Sequence, residues 1–574
     1  MNGISKANKI FKFNGFGGID TVRCHTDGRY ARDIVNFRIS EDGSLKKREG
    51  FRRICTLDNG IRAVWSGIYE SEGESVIFAL SGDTIFKISP QSGEITTVSK
   101  LTSNEGKAEF FFYRGVLYLA DGHGLYGIKD GAVFEPFGYV PLVGKDWSDF
   151  KRGEPYEARN LLNNRGRISY TVSAEPLSIL HLDDEVSSID AVYINGLLVS
   201  TDRYSVSKAA PVLNVKGLEA FDRVEVYFTY LNCPYSDNKL KASTRAFVFG
   251  GINTSRPFLF GGNDRSVTFS GAYVSESSLK SARVVYPQSD ALYFPYEHEF
   301  AVGDGRFPIS SISRHYDRML IFTKGGAWMA DSSACATEEF PVMSINSSVG
   351  VSSDYGVALL ENFPYTVSNS GIYRWTADTD ELNDCNAHRI SAAVDDRLSP
   401  DFLSSAYVFA NKKRREILFS SPSVCKYTLV YSAVTSQWTS FAGIDADEFF
   451  EIDGETAFVR GTGIFVFDEA MTTDDGKEIT AYFTSGDVDL GSYDVKRASE
   501  AFLTHENGEV ILEITADGKA YGTSQAVFYS EQSHTVTRRR LIAGRFRHAC
   551  FKLSAVGNTR HTLHSLAIGF RTRK

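Results

Sequence analysis

The stretch Ser75-Val-Ile-Phe-Ala-Leu-Ser-Gly-Asp-Thr-Ile-Phe-Lys-Ile88 decides the fold, because variants of it recur along the chain. It joins an apolar strand, a turn that holds Gly and Asp, and a second strand of aliphatic and aromatic residues. Alternation with period two, and a turn that tolerates a positive φ, predict a β-hairpin. The other copies are Gly115–Ile128, Arg318–Met329, Tyr365–Trp375, Ala457–Phe467 and the looser Arg256–Phe269.

The spacing of these hairpins indicates how they assemble. Uninterrupted copies lie roughly 40 to 60 residues apart, which is the length of a four-stranded propeller blade. One complete blade is visible as four successive strands: Tyr407-Val-Phe, Glu416-Ile-Leu-Phe419, Tyr427-Thr-Leu-Val-Tyr431 and Gln437-Trp-Thr-Ser-Phe441. The sequence therefore predicts a six- or seven-bladed β-propeller.

Composition agrees with an all-β class. Aromatic residues make up 13% of the 574 residues, and Gly is far more frequent than Met (49 against 5). That balance favours pleated, turn-rich structure over helical bundles.

The hairpin pattern is interrupted, which divides the chain into five predicted regions. These are an N-terminal β-hairpin segment (1–55) with its turn at Asp42-Gly43, propeller blades (56–144), an inserted β-sandwich-like domain (145–242), further blades (243–473) and a C-terminal β-sandwich (474–574). Within the inserted domain, 145–158 is interpreted as a polar linker. The clearest hairpin turn of the inserted domain is Asn195-Gly196.

Seven cysteines occur singly, without a CxxC motif or a nearby Cys/His pairing. We interpret them as free thiols of a reducing compartment. The N-terminus lacks the apolar stretch of a signal peptide, and the chain has no apolar run of about 18 residues. These features predict a soluble protein made in the cytoplasm.

The net charge of −9 is unevenly distributed, since residues 535–574 contain ten basic residues and no acidic one. They could bind an acidic partner or phosphate, or they could be charged residues on the outer faces of strands. Alternation with apolar residues favours the second interpretation. The ten are Arg538, Arg539, Arg540, Arg545, Arg547, Lys552, Arg560, Arg571, Arg573 and Lys574.

Motifs with chemical meaning are weak. Gly122-His-Gly-Leu-Tyr-Gly127 matches GxGxxG, but a strand follows it where dinucleotide binding needs a helix. Asp378, Asp380, Asn383 and Asp384 could offer oxygens to calcium, yet the EF-hand glycine and glutamate are missing, so a solvated acidic loop is favoured. The eleven histidines show neither HExxH nor clustering. The sequence therefore predicts no enzyme, no catalytic, cofactor-binding or metal-binding residue and no cofactor, and it leaves the binding residues unknown.

Several segments together resemble a known family. Arg32–Gly50 resembles the Asp-Gly-x-Leu-x-x-Arg-x-Gly opening of bacteriophage tail nozzle proteins, also called tail tubular protein B or packaged-DNA stabilisation proteins of short-tailed phages. Asp290–Ile312 and Met319–Trp328 are similar to their middle blades. Phe340–Asn346, Gly350 and Ser370–Tyr373 continue the same order.

The resemblance implies a virion structural protein that forms a ring, expected to be hexameric, around the DNA exit channel of the tail. Its expected partners are copies of itself, portal, adaptor and other tail proteins, tail fibres, and genomic DNA that passes without sequence-specific binding. The expected location is the virion tail after synthesis in the host cytoplasm. An acidic body fits this role, because it would repel DNA from the channel wall.

Two alternatives stay open. Val430–Trp438 resembles the strand-turn-Trp signature of Kelch-type propellers, which would make the chain a protein-interaction scaffold. A phage receptor-binding or glycan-degrading tail protein is the other alternative, although the sialidase Asp-box is absent.

Overall fold

The computed structural model describes residues 9–573, apart from 14, 26, 70–72, 208–209, 232–237, 252–254, 263–264, 272–291, 331–340, 377–385, 521–524, 532–533 and 542–543. The N-terminal strands are β1 (Lys9–Phe13), β2 (Ala31–Val35), β3 (Phe37–Ile39), β4 (Leu45–Lys47) and β5 (Gly50–Thr56). No helix within the described ranges combines the length and apolarity needed to cross a bilayer.

Two antiparallel four-stranded sheets follow. Blade 1 contains β6 (Ile61–Ile68), β7 (Ser75–Ser81), β8 (Thr84–Ile88) and β9 (Ile95–Lys100). Blade 2 contains β10 (Glu109–Tyr113), β11 (Val116–Ala120), β12 (Leu125–Lys129) and β13 (Ala132–Phe134).

An inserted β-domain comes next, with two sheets around a core of its own. Its strands are β14 (Leu142–Trp147), β15 (Arg165–Thr171), β16 (Ile179–His181), β17 (Val186–Ile194), β18 (Leu197–Leu198), β19 (Tyr204–Val206), β20 (Val212–Val215) and β21 (Arg223–Tyr230). The five-stranded sheet has the order β14-β15-β21-β17-β18, and β16, β20 and β19 form the second sheet.

The start of this domain differs from the sequence interpretation. The segment 145–158 was expected to be a linker, but β14 extends to Trp147, whose side chain is buried against Tyr170. The Trp147 indole N–H donates to the carbonyl of Glu154 at 3.0 Å. Because the segment 145–158 is mostly polar, its composition did not indicate that Trp147 is buried.

The short helix α1 (Asn238–Lys241) leads into blades 3 and 4. Blade 3 contains β22 (Arg245–Phe249), β23 (Arg256–Phe260), β24 (Ser266–Phe269) and β25 (Glu299–Ala301). Blade 4 contains β26 (Ile309–His315), β27 (Arg318–Thr323), β28 (Gly326–Ala330) and β29 (Val342–Asn346).

Blade 5 contains β30 (Val357–Leu360), β31 (Phe363–Ser368), β32 (Gly371–Trp375) and β33 (Ala387–Arg389). After helix α2 (Pro400–Ser405), blade 6 contains β34 (Tyr407–Asn411), β35 (Glu416–Ser420), β36 (Tyr427–Ser432) and β37 (Gln437–Ala442). Blade 7 contains β38 (Glu448–Ile452), β39 (Glu455–Arg460) and β40 (Gly463–Asp468), and β5 is its fourth strand.

The seven sheets close into a ring. Their first strands lie side by side in the order β6, β10, β22, β26, β30, β34 and β38, and β38 packs against β6 again. The N-terminal segment completes the last blade, because β5 pairs antiparallel with β40 as the fourth strand of blade 7. The chain is therefore an all-β protein built on a seven-bladed β-propeller.

The predicted hairpins occupy the same position in each blade. Each of the six repeats is the pair of middle strands of a blade, and the four strands read from Tyr407 to Phe441 are blade 6. The Asn195-Gly196 turn is also confirmed, with both residues at positive φ between β17 and β18.

A second β-sandwich combines strands from the first and the last described parts of the chain. Its C-terminal strands are β43 (Ala481–Ser485), β44 (Val495–Glu506), β45 (Gly508–Ala516), β46 (Lys519–Ala520), β47 (Ala526–Ser530), β48 (Thr535–Arg540), β49 (Ala549–Val556) and β50 (Thr562–Arg573), preceded by the short β41 (Thr473–Asp474) and β42 (Lys477–Glu478). One sheet contains β3-β4-β50-β44-β48 with β1. The other contains β2-β43-β49-β45-β46 with β47, and it is continuous with blade 6 because β2 also pairs in parallel with β37. The segment 1–55 thus contributes strands to the sandwich and to blade 7.

Candidate functional site

The mouth of the propeller channel contains a charged and aromatic cluster. The first residues of four innermost strands are Glu109, Arg245, Tyr407 and Glu448, and Tyr355 lies just before a fifth. Because the innermost strands of successive blades run in the same direction, their first residues meet at one end of the channel. They line a cavity of about 380 Å³.

Ion pairing and ring contacts hold the cluster in place. Arg245 Nε donates to Glu109 Oε2 at 2.6 Å, and its guanidinium carbon lies 4.2 Å from the centre of the Tyr355 ring. Lys107 Nζ lies 4.3 Å from the same ring centre. Tyr355 and Tyr407 stack with their ring centres 5.4 Å apart. These contacts join blades 2, 3 and 6 across the channel.

Glu448 is a carboxylic acid whose pKa this environment shifts strongly. Burial, and then the neighbouring carboxylate of Glu109, raise the pKa of Glu448 to about 8. At neutral pH Glu448 is therefore mostly a neutral acid that can donate a proton or a hydrogen bond. Glu109, paired with Arg245, offers an acceptor in the same cavity.

We expect the raised pKa of Glu448 to make the free energy of unfolding depend on pH. The native state keeps a proton on Glu448 between its unfolded pKa of 4.5 and about 8, so stability falls as the pH rises through that window. Glu448→Gln copies the protonated side chain, so its stability relative to wild type should increase from pH 5 to pH 9 in urea titrations. The exposed Glu105→Gln serves as the control, and an unchanged difference across this range for E448Q would contradict the assignment.

A second candidate surface lies at one end of the inserted domain. Leu197, Leu198 and Phe221 form this apolar tip, and they are 76%, 67% and 70% exposed. The two leucines make up β18, the terminal strand of the five-stranded sheet as described. Large apolar side chains grouped on an exposed sheet edge are typical of contact surfaces.

The backbone presents Phe221 rigidly. Phe221 has a φ of +67°, a left-handed conformation that is costly for an aromatic residue. The next side chain, Asp222, is buried and accepts hydrogen bonds from Asn195 Nδ2 at 2.7 Å and from the Glu219 amide at 2.8 Å. Strain that surrounding contacts maintain occurs preferentially at functional positions.

The sequence-predicted motifs fall in different places. Gly122–Gly127 forms the turn between β11 and β12 and the first three residues of β12. In the turn, Asp121 Oδ1 accepts from the amides of His123 and Gly124 at 2.9 and 2.7 Å. The acidic segment Asp378–Asp384 lies outside the described residues, as do Cys233, Cys335 and Cys385. The four cysteines that the structure describes are free thiols: Cys24, Cys55, Cys425 and Cys550.

The basic C-terminal residues lie largely on strands. Arg538, Arg539 and Arg540 belong to β48, at the end of its sheet, and Lys552 belongs to β49. Arg538 pairs with Glu500, and Lys552 Nζ lies 3.5 Å from Glu513 Oε2. These partners explain part of the positive charge without any ligand.

Sequence reasoning missed the channel cluster and the apolar tip. Glu109, Arg245 and Glu448 are each the first residue of an innermost strand. This shared position can be recognised only after the strands have been assigned to their places in the blades. Adjacent leucines on a two-residue strand also look like core residues until the sheet order is known.

No family model and no curated protein sequence matches this chain. Solved structures similar to it include the AfRom2 CNH domain (9% identity, 73% of this chain and 99% of that chain, TM-score 0.35). Others are Saccharomyces cerevisiae Sqt1 (9%, 73% and 99%, TM-score 0.34) and BBS1N in complex with ARL6DN (7%, 73% and 96%, TM-score 0.35). Because these TM-scores are low, the fold assignment depends only on the strand pairing and ring closure described above.

Proposed function

We propose that this chain is a protein-binding scaffold that assembles with further copies of itself through the apolar tip of the inserted domain. The observation that carries this proposal is the exposure of Leu197 and Leu198 on the terminal strand β18 and of Phe221 in the turn before β21. Burial of such side chains against a second copy would contribute about 1.5–3 kcal/mol for each one fully covered. The propeller would then hold the tip at a fixed distance from the terminal sandwich.

The finer proposal is that the scaffold is a tail nozzle protein whose copies form a ring around a DNA channel. It is supported by the resemblance of Arg32–Gly50 and of the middle blades, and by the acidic net charge of −9. Negative-stain electron microscopy of the purified chain, alone and mixed with portal and adaptor proteins, should show closed rings. Particles that remain single propellers under both conditions would contradict this proposal.

Substitution of Phe221 in the apolar tip should have opposite effects on stability and on assembly. Asn tolerates the left-handed conformation better than Phe, so Phe221→Asn should raise the free energy of unfolding by about 0.5–1 kcal/mol. The same change removes a contact side chain and should shift the sedimentation-velocity distribution towards monomer. Urea titration and sedimentation of the same preparation measure both effects.

Tyr493→Asn is the matched control, because Tyr493 is 81% exposed on the terminal sandwich, away from the tip. It should leave sedimentation unchanged. Assembly of F221N that equals wild-type assembly would exclude the tip as the contact surface, whatever its stability.

A further inference from the structure

Three potential metal ligands converge at one end of the terminal sandwich. Glu506 is the last residue of β44, His564 lies on the neighbouring β50, and His534 immediately precedes β48 on the other side. The register pairs His505 with Thr535, so its continuation places His534 opposite Glu506. Strand pairing thus joins histidines that the sequence shows as scattered.

The ligand atoms point to one place. Glu506 Oε1 lies 2.9 Å from His564 Nε2 and 3.1 Å from His534 Nδ1. One nitrogen from each histidine and the carboxylate oxygen all lie within 4.8 Å of one another. In a tetrahedral zinc site with bonds of about 2.0–2.1 Å, ligand atoms are separated by ~3.3 Å. The two distances to Glu506 Oε1 are within a few tenths of an ångström of this separation, and the two imidazole nitrogens lie within 4.8 Å of each other.

We propose that Glu506, His534 and His564 bind one divalent transition-metal ion of the zinc class. Two imidazole nitrogens and one carboxylate form a donor set suited to Zn²⁺, whereas Ca²⁺ and Mg²⁺ prefer oxygen ligands. Three protein ligands leave a fourth position for water or another group. Side-chain exposure of 70% at His534 keeps this position accessible from solvent.

The two imidazole rings lie side by side next to the carboxylate. They stack with centres 4.1 Å apart and planes at 25°, and one nitrogen of each ring lies within 3.1 Å of the same oxygen of Glu506. A metal ion in their place would bind both rings in their neutral form.

The site has a structural consequence for the sandwich. β48 ends its sheet and is held on one side by β44. An ion shared by His534, Glu506 and His564 would link the start of β48 to two strands inside the sheet. Glu506 also borders a groove of about 690 Å³ between the sandwich and blade 6.

The test uses full-length protein that has been treated with a chelator and then transferred to metal-free buffer. Calorimetric titration with Zn²⁺ should show one site per chain, and Zn²⁺ should raise the melting temperature of wild type. Co²⁺ in its place should give the visible absorption of a tetrahedral ion. His534→Ala should weaken this site by at least about tenfold and remove the thermal shift.

His534 is the decisive position, because a side chain that is 70% exposed contributes little packing to the fold. His564→Ala provides a second test from inside the sheet. The exposed His548→Ala on the same sandwich is the matched control and should bind Zn²⁺ as wild type does. If wild type binds no stoichiometric Zn²⁺, or if H534A binds it as tightly as H548A, the proposal is overturned.

Discussion

Arg48→Met should lower the free energy of unfolding by about 3–5 kcal/mol, because it leaves a buried carboxylate without its partner. The Arg48 side chain has no exposed surface, and its terminal nitrogens donate to both oxygens of Asp474 at 2.8 and 2.5 Å. Arg48 Nε also donates to Asn36 Oδ1 at 2.8 Å, and a terminal nitrogen donates to the Ala442 carbonyl at 3.0 Å. One side chain thus joins the sandwich, blade 6 and the segment after blade 7.

The chain offers a matched control in Arg53→Met. Arg53 pairs with the adjacent Asp475 at 2.6 Å, but its side chain is 50% exposed. An exposed pair contributes about 0–1 kcal/mol, so this variant should unfold almost as wild type does in urea. Equal decreases in the free energy of unfolding for R48M and R53M would contradict a stabilising role for the burial of Arg48 at the junction between propeller and sandwich.

Gly50→Ala should destabilise the fold by about 3 kcal/mol, because an added methyl group would meet backbone and not a movable side chain. A Cβ at Gly50 would lie 2.0 Å from the carbonyl oxygen of Thr473. Gly50 is the first residue of β5, the strand that closes blade 7, and its amide donates to the Met471 carbonyl at 2.9 Å. The substitution therefore forces β5 and β41 apart where the ring closes.

Gly60→Ala is the control, since a Cβ there meets no atom within 4 Å. It should be neutral or slightly stabilising, because Ala restricts the unfolded chain. Thermal unfolding of both variants beside wild type measures the difference. Similar melting temperatures for G50A and G60A would contradict the close packing of β5 against β41.

Local pattern was sufficient for the blades. The hairpins are contiguous in sequence, so alternation and turn residues identified both middle strands of six blades, such as β7 and β8 around Gly82-Asp83. Blade 6 was complete in sequence because all four of its strands follow one another within Tyr407–Ala442. Where neighbouring strands are close in sequence, the alternation and the turn residues are sufficient to predict which strands pair.

Long-range pairing could not be predicted in this way. β5 joins β40, and β1 joins β50, across almost the whole chain. Alternation fixes which face of a strand is buried but not which distant strand pairs with it. The same limit applies to the sites, because Glu109 and Glu448 meet through ring closure, and His534 and His564 meet through pairing with β44.

Single-particle cryo-electron microscopy of the assembled full-length chain tests the scaffold proposal most directly. We expect closed rings of copies, each with seven blades and with residues 50–56 as the fourth strand of the last blade. We also expect Leu197, Leu198 and Phe221 at the contact between copies. Isolated propellers, or contacts between copies that leave this tip in solvent, would contradict it.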